Sequence, residues 1–199
     1  MSTVAGLILA AGESQRMGRP KALLDWGGKT LLQHQIDTAI EAGCAPVVGV
    51  LGARAHQVRA RTRCEAPCLL VENAAYRSGR ASSLRVGARM VAEGTGAVIV
   101  ASVDAPMSRE TIEQLIETWR ASGAAIVVPR FGGKNGHPAL FDGGLLAELR
   151  MVQDSAQGLK AVRAAHREGT QFVEVEDALV ALNLNTPEDY AAAKSLLEG

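Results

Sequence analysis

Short apolar runs alternate with longer amphipathic segments along the chain. Residues 4–9 are apolar throughout and residues 97–103 are apolar except for Ser102, which is typical of strands that are buried on both faces of a sheet. Shorter apolar runs predict further strands at residues 46–51, 68–71, 125–128, 138–141, 172–175 and 178–182. The pattern therefore predicts a sheet whose strands are separated along the chain by other elements.

The segments between these strands carry helical signals. In residues 30–42 apolar side chains recur at helical spacing, and Gly43 follows at the position of a helix C-cap. Ser82 or Ser83 is expected to cap a second helix, and Ser108 is expected to cap a third. Helical segments are also predicted within residues 53–63 and 144–168, and from Pro187 onward.

Alternating strands and helices predict an α/β fold. We expect a single domain over residues 1–199, built on a mostly parallel sheet with helices on both faces. Ligands of such sheets bind beyond the carboxyl ends of the strands. Polar clusters follow four of the predicted strands, at residues 12–21, 73–83, Asp104 and 183–185. The sequence thus predicts that these clusters meet in one cleft.

The loop after the first strand has the composition of a phosphate cradle. Residues 10–12 carry almost no side chain, so a ligand can lie against the backbone N–H groups. Arg16, Arg19 and Lys21 supply positive charge, and arginine binds phosphate with two parallel hydrogen bonds. A dinucleotide fingerprint is excluded, because no glycine stands two places after Gly12.

A second glycine-rich stretch imitates a P-loop without being one. Gly28-Lys29-Thr30 matches the end of that motif, but Leu23 stands where its first glycine is required. We expect a hairpin turn that leads into a helix at this position.

Composition narrows the classes of partner. The 199 residues are 47% hydrophobic, and 21 basic residues balance 21 acidic ones, so no overall field favours nucleic acid or an anionic membrane. The N-terminus lacks the pattern of a signal peptide, and no apolar run approaches the length of a membrane span. These features predict a cytoplasmic protein. Cys44, Cys64 and Cys68 are expected to be reduced thiols, with neither a disulfide nor a zinc site.

Several motifs together resemble one family. Residues 9–21 read Leu-Ala-Ala-Gly-x-Ser-x-Arg-Met-Gly-x-Pro-Lys, followed by Leu23-Leu24 and Gly28-Lys29. The later motifs are Asn73, Gly-Arg-Ala-Ser-Ser-Leu at 79–84, Asp-Ala-Pro at 104–106, Gly-His-Pro at 136–138 and Asn-Thr-Pro-Glu-Asp at 185–189. This set resembles the molybdenum cofactor nucleotidyltransferases, the MobA/MocA-like group, over nearly the whole chain. Other nucleotidyltransferases share the opening loop, whereas the Ser-Ser and Gly-His-Pro elements narrow the resemblance to the molybdopterin branch.

The resemblance implies a Rossmann-like nucleotidyltransferase fold and a Mg²⁺-dependent reaction. A nucleoside monophosphate would pass from a nucleoside triphosphate to molybdopterin or the molybdenum cofactor, with release of pyrophosphate. The implied partners are the nucleoside triphosphate, the molybdopterin-type acceptor and a molybdoenzyme that receives the product. Neither nucleic acid nor a membrane is among them.

The resemblance also assigns roles to individual residues. Arg16, Lys21 and Asp104 would be catalytic, and Asp104 and Asn185 would bind the metal. The nucleotide-binding residues would be Leu9, Ala10, Ala11, Gly12, Arg16, Lys21, Asn73 and Ser82, and the acceptor-binding residues Ser83 and His137. Carboxylate and amide oxygens are ligands that suit Mg²⁺.

Local structure offers competing interpretations of these side chains. Asp104 and Asn185 each stand where a helix cap is favoured, as do Ser82 and Ser83. His137 lies between a glycine and a proline, where a structural hydrogen bond is an alternative to acceptor binding.

The nucleotide base is indicated by two conflicting features. Ala11 is similar to the cytidylyl-transferring members, because the guanylyl-transferring members usually carry a second glycine there. Asn183-x-Asn185 is closer to the guanylyl version. We favour CTP, since the first loop would touch the base directly. The alternatives are GTP with the same cofactor, a different phosphorylated acceptor such as a sugar or a phospholactate-like acid, and a non-catalytic protein that binds molybdopterin.

Overall fold

The structure, a computed structural model, describes residues 2–198, so residues 1 and 199 of the predicted domain lie outside it. The strands are β1 (Val4–Ala10), β2 (Asp25–Trp26), β3 (Lys29–Thr30), β4 (Val47–Leu51), β5 (Cys68–Glu72), β6 (Ala97–Ser102), β7 (Ile126–Phe131), β8 (Lys134–Asn135), β9 (Ala139–Asp142) and β10 (Thr170–Glu174). The α-helices are α1 (Leu31–Glu41), α2 (Ala55–Arg59), α3 (Arg80–Arg89), α4 (Arg109–Ser122), α5 (Leu146–Leu149), α6 (Leu159–Ala165) and α7 (Pro187–Glu198).

Eight of the strands form one mostly parallel sheet. Its order is β10-β7-β9-β6-β1-β4-β5, and β8 pairs with β7 at one end. Strand β1 lies between β4 and β6 and is parallel to both, whereas β9 is antiparallel to its two neighbours. The predicted fold class is therefore confirmed. The loops that follow β1, β5 and β6 all leave the same edge of the sheet.

The sheet separates two apolar cores, which explains why its central strands are apolar throughout. Along β1, Ile8 belongs to the core that α1 and α4 cover, whereas Leu7 and Leu9 belong to the core that α3, α5 and α6 cover. Gly87 brings α3 directly onto the sheet, since a Cβ at this position would lie 2.1 Å from the Leu7 side chain. Each fully buried aliphatic side chain contributes about 1.5–3 kcal/mol to the free energy of folding.

Side-chain caps set the starts of α1 and α4, and the cap of α4 is the predicted one. The Thr30 hydroxyl accepts a hydrogen bond from the Gln33 N–H before α1, and the Ser108 hydroxyl accepts one from the Thr111 N–H before α4. The Gly28-Lys29-Thr30 stretch lies in the β2–β3 hairpin, which leads into α1 as predicted.

One predicted helix cap and one predicted strand are wrong. Helix α3 begins at Arg80 after Gly79, so Ser82 and Ser83 lie inside its first turns and do not cap it. Residues 178–181 form a 3₁₀ helix, capped by the Asp177 side chain on the Leu179 N–H, where a strand was predicted. An apolar run of four or five residues fits either element, and the capping aspartate decides between them here.

The prediction of three reduced thiols is also wrong. Cys64 and Cys68 form a disulfide, while Cys44 is a free, buried thiol. The chain turns between Cys64 and the start of β5 so that the two Cα atoms lie 5.2 Å apart, within the range a disulfide requires. An odd cysteine count concealed this local pair. Within residues 2–198, no helix combines the length and apolar character that crossing a lipid bilayer requires.

Candidate functional site

The loop after β1 folds back so that its cation returns to the sheet edge. Ser14 adopts the left-handed conformation, and its hydroxyl accepts a hydrogen bond from the Lys21 N–H at 3.0 Å. Gly18 also lies in the left-handed region, with φ of 70°. A Cβ placed on Gly12 would meet none of the described residues within 4 Å beyond its own chain neighbours, so the backbone there is open to a ligand. The loop thus forms the open cradle that its sequence predicts.

Three of the sequence clusters meet at the Lys21 ammonium. Lys21 Nζ donates to Asp104 Oδ2 at 3.1 Å and to Asn185 Oδ1 at 3.0 Å. The side chains of Lys21 and Asp104 are only 12% and 21% exposed, so this ion pair is largely shielded from water. These two contacts of Lys21 join the loop after β1 to the turn after β6 and to the segment before α7.

The Asp104 carboxylate is held in its charged form. Burial acts to raise its pKa, but a hydrogen bond from the Ser102 hydroxyl and the nearby Lys21 ammonium outweigh burial, and the pKa lies below its ordinary value. The positive charge of Arg80 acts in the same direction. A charged carboxylate at the mouth of the cleft favours binding of a cation.

A buried glutamine clamps the turn that carries Asp104. Gln35, fully buried in α1, directs its Nε2 to three backbone carbonyls around that turn. The acceptors are the oxygens of Ser102 at 3.3 Å, Val103 at 3.2 Å and Ala105 at 3.1 Å. The Asp104 turn is therefore fixed from below by a helix on one face of the sheet.

The Asn185 side chain does not cap the terminal helix. Thr186 and Asp189 form the cap instead, because the Thr186 hydroxyl accepts from the Asp189 N–H and the Asp189 carboxylate accepts from the N–H groups of Asn185 and Thr186. The Leu184 N–H donates to the Asp104 carbonyl at 2.7 Å, which fixes the segment against the turn. The Asn185 amide thus faces Lys21, although no strand precedes it as had been expected.

Asn73, Ser82 and Ser83 form one buried hydrogen-bond network. The Asn73 Nδ2 donates to the hydroxyls of Ser82 at 2.8 Å and Ser83 at 3.0 Å, and its Oδ1 accepts from the Ala75 N–H. The Ser82 hydroxyl donates to the Gly79 carbonyl at 2.7 Å. This network ties the loop after β5 to the start of α3. The predicted contacts of Asn73 and Ser82 with the nucleotide, and of Ser83 with the acceptor, stay predictions.

Two adjoining cavities lie at this edge of the sheet. The larger, of about 350 Å³, is bordered by Leu9, Ala10, Arg16, Lys21, Asp104 and Asn185. The smaller, of about 240 Å³, extends past Ala11, Gly12, Tyr76, Gly79, Arg80 and Ser83 and shares Asp104 with the first. We refer to the two together as the nucleotide cavity, after the residues of their lining that the resemblance predicts to bind a nucleotide. Most of the predicted nucleotide-binding residues border it.

The oxygen atoms at the Lys21 ammonium fit a magnesium ion. Asp104 and Asn185 present one carboxylate and one amide oxygen to a cation, the hard ligands that Mg²⁺ prefers. Among the described residues, no cluster of three His, Cys, Asp or Glu side chains forms a closed metal site. The pair therefore suits an ion that takes its remaining ligands from phosphates and water.

His137 lies beside a third cavity of about 320 Å³. We name this cavity, lined by His137, Arg80, Lys160 and Arg163, the basic pocket. Burial lowers the pKa of His137, and the charges of Arg80 and Arg163 lower it further, so the imidazole is neutral at neutral pH. Burial also lowers the pKa of Arg163. His137 thus lines the basic pocket and not the two cavities at Lys21 and Gly12.

Sequence reasoning missed three residues of this region. Gln35 is a polar side chain on the apolar face of α1, four places after Leu31, and that break in the periodicity was a readable signal. Ser102 is two places before Asp104, where it ends an apolar strand. Arg163 had no signal, because only the folded chain brings α6 beside α3.

A family model describes most of the chain. Residues 6–170 match the model of the MobA-like NTP transferase domain. Molybdenum cofactor cytidylyltransferase of Escherichia coli K12 is 28% identical, over 98% of this chain and 97% of that protein. Molybdenum cofactor guanylyltransferase of Cereibacter sphaeroides is 34% identical, over 96% of each chain. Nicotine blue oxidoreductase of Paenarthrobacter nicotinovorans is 39% identical, over 71% of this chain and 72% of that protein.

Solved structures share the fold over almost the full length. The protein Rv0371c of Mycobacterium tuberculosis H37Rv is 27% identical with a TM-score of 0.84, over 98% of each chain. A structure of that protein in complex with manganese is 26% identical with a TM-score of 0.79, over 98% of this chain and 99% of the other.

Proposed function

Because the chain belongs to the MobA-like NTP transferase family, we propose that it transfers CMP from CTP to molybdopterin or its molybdenum-loaded form and releases pyrophosphate. The contact of Lys21 with Asp104 and Asn185 beside the Gly12 backbone is the observation that carries this proposal. At one edge of the sheet this contact brings together the Lys21 ammonium, which can bind phosphates, and the side-chain oxygens of Asp104 and Asn185, which can bind a metal ion. A nucleotidyl transfer needs little more than such positioning and charge neutralisation.

The chain's own groups account for the chemistry as follows. Lys21 and Arg16 neutralise the triphosphate, and the backbone around Gly12 donates to its oxygens. A phosphate oxygen of the acceptor attacks the α-phosphorus and forms a new P–O bond. The bond from the α-phosphorus to the bridging oxygen of the β-phosphate breaks, and its electron pair leaves with pyrophosphate. No side chain becomes covalently attached.

Asp104 and Asn185 would hold Mg²⁺ in this proposal. The ion would add positive charge next to the phosphates when it is bound. The structure of the manganese complex of Rv0371c supports a divalent metal in a protein of the same fold. Lys21 Nζ lies between the two oxygen ligands, within hydrogen-bond distance of each. A triphosphate offers Lys21 a new anionic partner, which frees both ligands.

The choice of CTP is supported by the packing at Ala11. Ala11 is buried and lines the nucleotide cavity, and its methyl group lies against Gly52. A methyl group fixed there narrows the space for a base, which favours the smaller pyrimidine over guanine. We propose that the product passes to a molybdoenzyme, as expected from the resemblance.

The test is pyrophosphate release with Mg²⁺ and molybdopterin, measured separately with CTP, GTP, UTP and ATP. We expect CTP to give the fastest release and the largest increase in melting temperature. Release with GTP alone would overturn the base assignment. Release only with another phosphorylated acceptor would overturn the choice of molybdopterin. No release with any combination would contradict the transferase proposal.

The identity with nicotine blue oxidoreductase favours a second candidate, a reductase. Oxidation of a reduced nicotinamide or flavin in the presence of nicotine blue would test it. We prefer the transferase, because Lys21, Asp104 and Asn185 supply phosphate and metal ligands, which hydride transfer does not require. Reductase activity that survives Asp104→Ala, together with no transferase activity, would reverse this preference.

A further inference from the structure

The two oxygens of the Asp104 carboxylate have different partners. The Ser102 hydroxyl donates to Oδ1 at 2.5 Å, and the Lys21 ammonium donates to Oδ2 at 3.1 Å. The same ammonium donates to the Asn185 amide oxygen at 3.0 Å. Oδ2 is therefore the carboxylate oxygen that shares a partner with Asn185, whereas Oδ1 is bonded to the neighbouring strand end.

Ser102 can hold Oδ1 of Asp104 in place because its own backbone is fixed. It is the last residue of β6, where it pairs with Leu9 of β1. Its carbonyl accepts from the Ala105 N–H at 3.0 Å and from Gln35 Nε2 at 3.3 Å. Only 9% of the residue is exposed, and it lines both parts of the nucleotide cavity. The hydroxyl thus reaches the site from a rigid element, which is what a positioning group requires.

Ser102 is also the donor that stays when a nucleotide binds. Within the described residues 2–198, Ser102 and Lys21 are the two side chains that donate to the Asp104 carboxylate. In the proposed function Lys21 turns to the triphosphate and frees Oδ2. The Ser102 hydroxyl carries no charge for a phosphate to attract, and its hydrogen bond to Oδ1 is charge-assisted.

The number of free carboxylate oxygens affects which ion a site prefers. Mg²⁺ is small, keeps an octahedral shell and retains several waters, so one oxygen from a carboxylate is enough. Ca²⁺ takes more oxygen ligands and often binds both oxygens of one carboxylate. Because Oδ1 already accepts a hydrogen bond, Asp104 offers mainly Oδ2 to a cation.

We propose that Ser102 is a positioning residue that leaves the Asp104 carboxylate one metal-binding oxygen, so that the site selects Mg²⁺ or Mn²⁺ over Ca²⁺. This inference rests on the metal site of the proposed function. It goes beyond that function by naming the residue that sets the preference among divalent ions. Ser102 acts through Asp104 and is not itself a metal ligand.

The test measures metal binding directly and needs no turnover. Electron paramagnetic resonance quantifies free Mn²⁺ during titration of the protein, and Mg²⁺ and Ca²⁺ are then added as competitors at fixed ionic strength. Competition from Lys21 is the same for each ion, so the ratio of two dissociation constants reports on the carboxylate.

The variants are Ser102→Ala, which removes the hydroxyl, and Ser102→Thr, which keeps one. Thr95→Val is the matched control. It removes a buried hydroxyl that donates to the Ala92 carbonyl at 2.8 Å, and it lies just before the opposite end of β6. A cooperative thermal transition shows that each variant is folded.

We expect the parent protein, Ser102→Thr and Thr95→Val to bind Mg²⁺ more tightly than Ca²⁺ and to share one ratio of the two dissociation constants. In Ser102→Ala the ratio of the Ca²⁺ constant to the Mg²⁺ constant should fall about five- to tenfold, because Oδ1 becomes available to the larger ion. The Mg²⁺ constant itself should change much less.

Four outcomes overturn the inference. These are no Mn²⁺ binding by the parent protein, an unchanged ratio in Ser102→Ala, the same change of ratio in Thr95→Val, and an equal loss of affinity for all three ions in Ser102→Ala. The last result would make Ser102 itself a metal ligand. Failure of the proposed function gives a different result: no nucleotide releases pyrophosphate, while the ion preference still changes in Ser102→Ala.

Discussion

At the residue scale, three separate segments of the chain hold Asp104 in place. Ser102 donates to one of its oxygens and Lys21 to the other. Gln35 holds the backbone on either side. A carboxylate supported in this way keeps its position and its charge, which is what a metal ligand needs.

Replacing Asp104 with Asn should reduce nucleotidyl transfer about 100-fold or more, because the charge is lost while the shape is kept. The Mg²⁺ concentration for half-maximal activity should rise. Steady-state rates at several Mg²⁺ concentrations would measure both effects. Asp37→Asn is the control, since it also removes an aspartate from a Lys–Asp pair, that with Lys29 at 2.6 Å. A parental rate in Asp104→Asn would contradict the assignment.

Replacing Gln35 with Met removes the clamp but keeps a side chain of similar length. Each of three carbonyls loses one donor, although the Ser102 oxygen still accepts from the Ala105 N–H, so the unfolding free energy should fall by about 1–3 kcal/mol. The kcat of transfer should fall about tenfold, with the KM for CTP little changed, because the Asp104 turn loses its fixed position. Urea denaturation and steady-state kinetics would measure the two changes.

The control for Gln35 is Thr38→Val, which removes a buried hydroxyl from the same helix without touching the turn. It should change stability without changing kcat. A Gln35→Met variant that loses stability but keeps its kcat would show that Gln35 supports only the fold.

At the element scale, the hydrophobic pattern was sufficient to predict the bounds of an element wherever one periodicity continued through the whole element. Strand β1 is apolar on both faces and α1 is amphipathic, and both were predicted to within one residue at each end. Short elements depended on partners that are distant in sequence. The start of α3 is held by Asp154, which lies 73 positions later than Ala81, so the two serines were wrongly given the capping role.

The residues of the candidate site likewise divide into those that the sequence could place and those that it could not. The topology of a parallel sheet predicts that loops after strands share an edge, and this was enough to bring the first loop to Asp104. It also brought Asn185 to Lys21, although the preceding segment is a 3₁₀ helix and not the predicted strand. It did not predict the basic pocket. Arg163 reaches that pocket through the packing of α6 against the sheet, which no spacing in the sequence encodes.

The Cys64–Cys68 bridge ties the turn after α2 to the first residue of β5, and it gives a direct prediction. In denaturant without reductant, the protein should show one reactive thiol per chain, and after reduction it should show three. In the folded protein Cys44 should react slowly, since burial raises its pKa to about 12. Thiol titration measures these numbers.

The control for the thiol count is Cys44→Ala, which should show none before reduction. Three thiols in denaturant without reductant would mean that the bridge does not form. The count is independent of any enzymatic assay.

At the scale of the whole molecule, the fold buries histidines whose neutral form it prefers. Burial lowers the pKa of His34 and of His137 below the ordinary value. Below that value of about 6.5 the unfolded chain binds more protons than the folded one, so stability falls as the pH falls. The low pKa of Asp104 has its effect only in a more acidic range, as this carboxylate becomes protonated.

We therefore expect unfolding free energy to be nearly constant between about pH 7 and 8 and to decrease from about pH 6.5 downward. Urea denaturation, followed by the fluorescence of Trp26 and Trp119, would measure this dependence. A double variant, His34→Gln with His137→Gln, should show a smaller decrease between about pH 6.5 and 5. An unchanged slope in the double variant would assign the dependence to other groups.

The contact of Asn185 with Lys21 also bears on how the protein is made. A ribosome that has completed β1, β4 and β6 has produced the centre of the sheet, yet the amide that faces Lys21 is still about eighty residues of translation away. The centre of the sheet can therefore form on the nascent chain well before Lys21 and Asn185 can make contact. Termination before residue 185 would leave a fragment in which Lys21 lacks its Asn185 partner.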